Sequence, residues 1–308
     1  MTALDDVFAV QDELTMSVVG VIEPTLRKAE IERARWKRPD SLDAYDLYLR
    51  ALPFAFTAMP QDADKALALL GRAIELEPDY AAVHALIAWC HEQRYLRGGL
   101  QEEAKRAALE HARAALAVGG DDAAALATAA FVIAVVEYDY ETATAAFERS
   151  LRLSSSSALA LGFSSIVRAW MGDDATAVEQ ARRAIRLSPF DPLLYLPYVG
   201  LAYAHFAAGR FAEAADAAGR ASHSNPRFTM PYVLQAAALA TSAALRRPGW
   251  WQTGCASSNQ PSPSPPRSDR RASRTRTRRV SLPTPCAAQA CLSRGATGTA
   301  LDSRATVG

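Results

Sequence analysis

Residues 195–226 read YLPYVGLAYAHFAAGRFAEAADAAGRASHSNP, and this stretch decides the fold. Tyr198, Leu201, Ala202 and His205 recur at helical spacing, and Gly209-Arg210 then offers a tight turn. Phe211 follows, packing back into the turn. Ala214, Ala218 and Ala221 set small residues along one face of a second helix until Pro226 stops it. The second half of this unit recurs upstream. Ala66, Leu70, Ala73 and Pro78 keep its spacing, as do Ala108, Ala112, Ala115 and Gly120, then Ala143, Phe147, Ser150 and Ser155, then Ala177, Ala181, Ala184 and Pro189. Successive first members lie 42, 35, 34 and 37 residues apart. Self-similarity at a period near 34 marks a solenoid of helix-turn-helix units, in which each unit buries its apolar face against the next.

Composition agrees with close helix packing, since half of the 308 residues are hydrophobic and alanine dominates them. A net charge of +1 conceals a break near residue 246. From there onward eleven arginines face two acids, Asp269 and Asp302, leaving 23 of the 34 basic and 31 of the 33 acidic residues in the helical body. Residues 246–308 are rich in Ser, Arg, Pro, Thr and Ala without helical periodicity and read as a disordered tail. The four cysteines, at 90, 255, 286 and 291, form no Cys-x-x-Cys pair, and Cys90 reads as a small apolar filler. The start is acidic and lacks the pattern of a signal peptide. The longest nearly apolar run, 123–136, falls short of the ~20 residues that span a bilayer. A cytoplasmic protein without a membrane partner is expected.

Residues 1–38 form a separate helical segment. Phe8, Val10, Leu14, Val18, Val19 and Ile22 make an apolar stripe, and Pro24 kinks or restarts the helix before the charged run 27–38. A stripe so wide needs a cover, which suggests a partner domain upstream. The region 41–245 then holds about five helix pairs plus one unpaired helix. Ser41 or Asp43 can cap the first helix, 43–52; Pro53 and Pro60 punctuate its end, and its mate runs 64–76. The 81–120 unit carries about eight extra residues, 94–101 or nearby, expected as a loop between its helices. After Pro226 another first helix begins, with Tyr232, Gln235, Ala236 and Leu239 at the expected positions. Its mate is replaced by Pro248-Gly249-Trp250-Trp251, which reads as a frameshifted or degraded end near residue 245.

The repeating unit resembles the tetratricopeptide repeat, whose pattern alternates bulky, small and aromatic residues before a closing proline. The resemblance implies an all-α, right-handed superhelix of antiparallel helix pairs. The 195–226 copy matches best, departing at His205 and Ala218 where the family has aromatics; in 123–155 Ser155 stands for proline.

Catalytic motifs are missing: no Gly-x-Gly-x-x-Gly, P-loop, nucleophile elbow or His-Glu-x-x-His occurs. His84 and His91 lie two turns apart, but no carboxylate or cysteine joins them at ligand spacing, so both read as packing histidines. No catalytic residue, metal or cofactor is expected. Seven arginines in 267–279 could contact phosphates, yet no aromatics interleave them and no nucleic-acid fold adjoins them, so no nucleic-acid partner is expected. The remaining surface is the concave face lined by the first helices. Trp89, Phe131, Ile166 and Tyr203 hold equivalent positions there, with Trp170 and Phe206 nearby. They could form a groove for an apolar peptide or an amphipathic helix of a partner protein, or simply pack the first helices together.

The junction itself carries a second resemblance. Residues 8–15 (FAVQDELT), 18–24 (VVGVIEP), 27–34 (RKAEIERA) and 41–50 (SLDAYDLYLR) are similar to the carboxy-terminal half of proteobacterial class III adenylate/guanylate cyclase-like proteins with tetratricopeptide repeats, an architecture shared with winged-helix regulators. There, residues 5–22 would close a small α/β domain like the amino-terminal domain of TolB. The cyclase's catalytic residues belong upstream, so no position here inherits them. The resemblance implies a non-enzymatic interaction or scaffold module, the sensor or regulatory half of a cyclase-like protein acting on a cyclase-type domain in cis or in trans. The alternatives are a regulatory fragment of a winged-helix transcription regulator and a truncated product without function.

Overall fold

A computed structural model describes residues 22, 24–38 and 41–246, and among these the chain forms twelve helices and no strand. They are α1 (24–36), α2 (Ala44–Ala55), α3 (Pro60–Leu76), α4 (Ala81–Arg97), α5 (Glu102–Val118), α6 (Ala123–Val136), α7 (Tyr140–Leu153), α8 (Ala158–Met171), α9 (Asp174–Leu187), α10 (Tyr195–Ala207), α11 (Phe211–Ser224) and α12 (Met230–Arg246). The stripe at 8–19 and the arginine-rich segment 267–279 lie outside the described residues.

Consecutive helices pack together as α2/α3, α4/α5, α6/α7, α8/α9 and α10/α11, while α4, α6, α8 and α10 also pack in a row on one another. This position explains a difference in composition. First helices meet neighbours on several sides, so α6 is buried from Ala125 to Val136 apart from Thr128. Second helices bury one stripe and turn the rest to solvent; α5 buries Ala104, Ala108, Ala112 and Ala115 alone. Every repeated alanine in the pattern is buried: Ala66, Ala73, Ala108, Ala115, Ala143, Ala177, Ala184, Ala214 and Ala221, with Phe147 beside them. Their small size lets neighbouring helices approach closely.

The helix ends follow a common rule. Each second helix stops two residues before the pattern's last member, so Pro78, Gly120, Ser155, Pro189 and Pro226 each follow the C-cap residue. Proline suits that place because it lacks an N–H and holds the preceding residue out of the helical region. Gly209 takes a left-handed φ of 75° between α10 and α11, and the Phe206 and Phe211 rings meet edge to face at 5.3 Å across the turn. The starts are capped by side chains: Asp122, Asp139, Ser157 and Asp173 accept from the backbone of α6, α7, α8 and α9. Asp43, not Ser41, caps α2, forming a capping box with Asp46.

Four expectations need correction. The extra residues at 94–101 do not form a long loop. They lengthen α4 to Arg97, leaving only 98–101 before α5. Pro53 does not end α2, which runs through it to Ala55 before the Phe56 C-cap. Pro60 starts α3 rather than ending anything, standing at its first position, where its fixed φ fits. On α12 Pro231, Leu234 and Ala238 are buried, while Tyr232 and Leu239 are exposed.

Ile22, just before α1, is helical as well, and the far end of α1 is held by α2. Arg50 Nε donates to the Ala34 carbonyl (2.8 Å) and its Nη2 to that of Lys37 (2.7 Å), satisfying acceptors that a helix terminus leaves open. Lys37 in turn pairs with the fully buried Asp46. Burial opposes ionisation of Asp46, but hydrogen bonds from Lys37 and the Asp43 backbone outweigh it and hold the carboxyl below its ordinary range. Contacts also join distant parts of the array: Arg27 pairs with Asp191 at 3.9 Å, and Arg227 with Asp62 at 3.3 Å.

Candidate functional site

The first helices converge on an aromatic interior. The Phe131 and Phe163 rings stack at 4.3 Å, Trp89 lies 5.7 Å from Phe131 and 5.2 Å from Phe163, and Trp170 lies 5.7 Å from Tyr203. The groove candidates are therefore brought together, except Phe206, which packs against Phe211 at the far turn. Trp89, Phe131, Ile166 and Tyr203 are all at most 6% exposed, so these side chains face one another and not solvent. Two connecting segments cover them. Leu193, between α9 and α10, lines a cavity together with Tyr48, Leu52 and Trp89, and Phe228, between α11 and α12, lies 5.0 Å from Tyr195.

Under the second cover a cavity of about 60 Å³ remains, with Trp89, Phe131, Ile166, Trp170, Tyr203 and Phe228 in its walls. Its polar groups come from α4 and α10. Glu92 is 2% exposed, and Oε2 of its carboxylate has no hydrogen-bond partner. Removal from water pushes Glu92 up to about 7, the nearby Arg97 opposing the shift. Arg97 places its guanidinium 4.8 Å from the Phe228 ring centre, a cation–π contact, and its Nη1 is likewise buried without a partner. Tyr195 completes the set, with burial raising its phenol.

Sequence reading missed Glu92, Arg97, Tyr195 and Phe228. A signal existed for the first: Glu92 follows Trp89 by three residues, which sets both on one helix face. It is the lone acid of α4. Arg97 could not be foreseen, because it lies in the stretch expected to be a loop.

Histidines gather elsewhere. His84 Nε2 bonds the Pro78 carbonyl at 2.8 Å and its Nδ1 meets Nδ1 of His111 at 2.9 Å. With Nε2 as donor to that carbonyl, Nδ1 of a neutral His84 accepts, and His111 donates. His91 stacks on His111 with ring centres 6.3 Å apart. Burial, then Arg94, depresses His91 to about 4; burial and His84 lower His111. Neutral rings in a packed interface are the result, and among the described residues no group of three or more His, Cys, Asp or Glu could hold a metal ion. Cys90 is fully buried, and burial raises its thiol. Among the described residues no helix is long and apolar enough to cross a membrane.

No protein-family model matches the chain. A stretch of 85 residues is 33% identical to the Rhizobium meliloti (strain 1021) protein named "Putative adenylate cyclase 3"; it covers 28% of this chain and 14% of that protein. The likeness thus extends over a small fraction of the relative's length.

Proposed function

We propose that this chain is a non-catalytic, tetratricopeptide-type repeat module serving as the regulatory half of an adenylate cyclase-like signalling protein. The observation that carries the reading is the 33% identity to a protein named for cyclase activity. It is supported by the sequence period near 34 and by the order in which α2 to α11 pack as successive pairs. In this reading the pairs wind into a right-handed superhelix, and the cyclase chemistry belongs to another domain, in cis or in trans. A protein partner then docks on the outer surfaces of the pairs, because the aromatic side chains of the first helices are already packed on one another.

Two measurements test it. The purified chain, incubated with ATP or GTP and a divalent metal ion, is expected to form no cyclic nucleotide; turnover would refute the non-catalytic part. Joined behind the catalytic segment of the Rhizobium meliloti relative, the chain is expected to change the rate of cyclic AMP formation. An identical rate with and without it would refute the regulatory part.

A further inference from the structure

Two side chains of opposite charge face the interior cavity without satisfying each other. Glu92, 2% exposed, and Arg97, five residues further along α4, both line it. Oε2 of the carboxylate and Nη1 of the guanidinium are both buried, and neither has a hydrogen-bond partner. Proteins rarely leave such groups unpaired, because each forfeits its water for nothing in return. The space between them is walled by Trp89, Phe131, Ile166 and Tyr203. Thr229, which is exposed, lines the same cavity and marks where solvent reaches it.

We propose that this cavity binds a small zwitterion with an apolar body, an amino acid of the leucine or methionine kind, its ammonium toward Glu92 and its carboxylate toward Arg97. The charges decide the class. A simple cation would answer Glu92 but face Arg97 with like charge, and an anion would do the reverse. A zwitterion supplies the donor that one orphan atom lacks and the acceptor that the other lacks, and adds no net charge to a buried site. The aromatic and aliphatic walls suit an apolar side chain. The cavity, of about 60 Å³ and open at its mouth, is too small for a folded partner and admits only a small molecule. The inference rests on the cavity alone and does not depend on the cyclase reading.

The test uses the full chain and three probes: L-leucine, isoamylamine (leucine without its carboxylate) and 4-methylpentanoate (leucine without its ammonium). Binding is read by calorimetry and by the fluorescence of Trp89 and Trp170. Leucine is expected to bind, with each half-molecule at least tenfold weaker, as removing a charged hydrogen-bond partner dictates. Glu92→Gln should weaken leucine at least tenfold while leaving 4-methylpentanoate unchanged, and Arg97→Met should weaken leucine while leaving isoamylamine unchanged. A variant that merely disturbed packing would shift all three probes together. The proposal is overturned if a half-molecule binds as tightly as leucine, if the variants lower all three alike, or if leucine, methionine and phenylalanine all fail to bind at about 10 mM.

Discussion

Gly200 lies where α10 crosses α8, and replacing it with alanine tests the close packing on which the array depends. A Cβ at this position would sit 3.0 Å from the Ser165 Cβ and 3.2 Å from its carbonyl carbon, and would collide with its Oγ. The hydroxyl cannot swing clear without cost, since it is fully buried and donates to the Gly162 carbonyl at 2.7 Å. The other two atoms belong to the backbone or hang directly from it, so α8 itself must shift. Overpacking of this kind costs about 1–3 kcal/mol, and the upper half of that range applies where backbone has to move. Against it stands the better helix propensity of alanine, worth about 1 kcal/mol. The net expectation for Gly200→Ala is a loss of about 1–2 kcal/mol. Gly71, in the exposed face of α3, meets nothing within 4 Å and supplies the control. There the propensity gain is unopposed, and Gly71→Ala should raise stability by up to about 1 kcal/mol. Urea unfolding followed by far-ultraviolet circular dichroism reads both, the midpoint moving down for one variant and up for the other. Ser165→Gly should recover part of the Gly200→Ala loss. If Gly200→Ala proves as stable as the parent, the contact between α8 and α10 is looser than the structure states and the reasoning fails.

Stability should depend on pH in two opposed ways. His91 and His111 have depressed values in the folded chain, so the unfolded chain binds more protons there, and their contribution, present above about 6.5, is lost as pH falls, for His91 toward about 4. Glu92 is raised from 4.5 to about 7, so its contribution is full below 4.5 and is lost as pH rises through 7. The unfolding free energy of Glu92→Gln in urea should therefore exceed that of the parent increasingly from about pH 5 to about pH 8, by at most about 3 kcal/mol; a constant difference would refute the assignment. Arg50→Ala removes the donor to the carbonyls of Ala34 and Lys37 and should release α1 from α2. Trypsin cleavage within 27–38 is then expected to quicken at least tenfold, with a global loss of about 1–3 kcal/mol. Lys37→Met leaves Asp46 buried without its cation and should cost about 2–4 kcal/mol, less at a pH low enough to protonate that carboxyl.

The helices were legible because two signals overlap. Ala214, Ala218 and Ala221 carry the helical period, and Pro226 closes it, and the same pair of signals returns in the upstream units. The pairing order followed from the short turns, with Gly209 as the clearest. The length of α4 was not legible, since Arg94, Tyr95, Leu96 and Arg97 suit a helix and a loop edge equally until the packing of Tyr95 is known. The fate of the aromatic column was also undetermined: whether Trp89 and Phe131 face a groove or each other depends on how closely the first helices pack, a sum of many small crossing angles that no single residue encodes. Leu193 and Phe228 reach the interior from connecting segments far along the chain, which is why their role escaped a reading along it. The register of α12 failed for a related reason. Its buried face, with Leu234 and Ala238, rests mainly on α11 and only slightly on α10, and no later pair follows it among the described residues.

The pairing of Asp62 with Arg227 makes the row of helix pairs a gauge of its own packing. Both atoms are fixed near opposite ends of the row of pairs, 165 positions apart in sequence. Closing so long a loop costs about 1.4 kcal/mol more than closing one of 34 residues, more than an exposed ion pair returns. The contact therefore cannot pull the ends together; it records that the pairs between them have brought the ends to the same place. A small change in twist at any crossing accumulates toward this point, so the distance from Asp62 to Arg227 responds to perturbations that are locally too slight to see. Spin labels or fluorophores at these two positions would turn subtle events inside the array, including occupancy of its cavity, into a displacement at its edge.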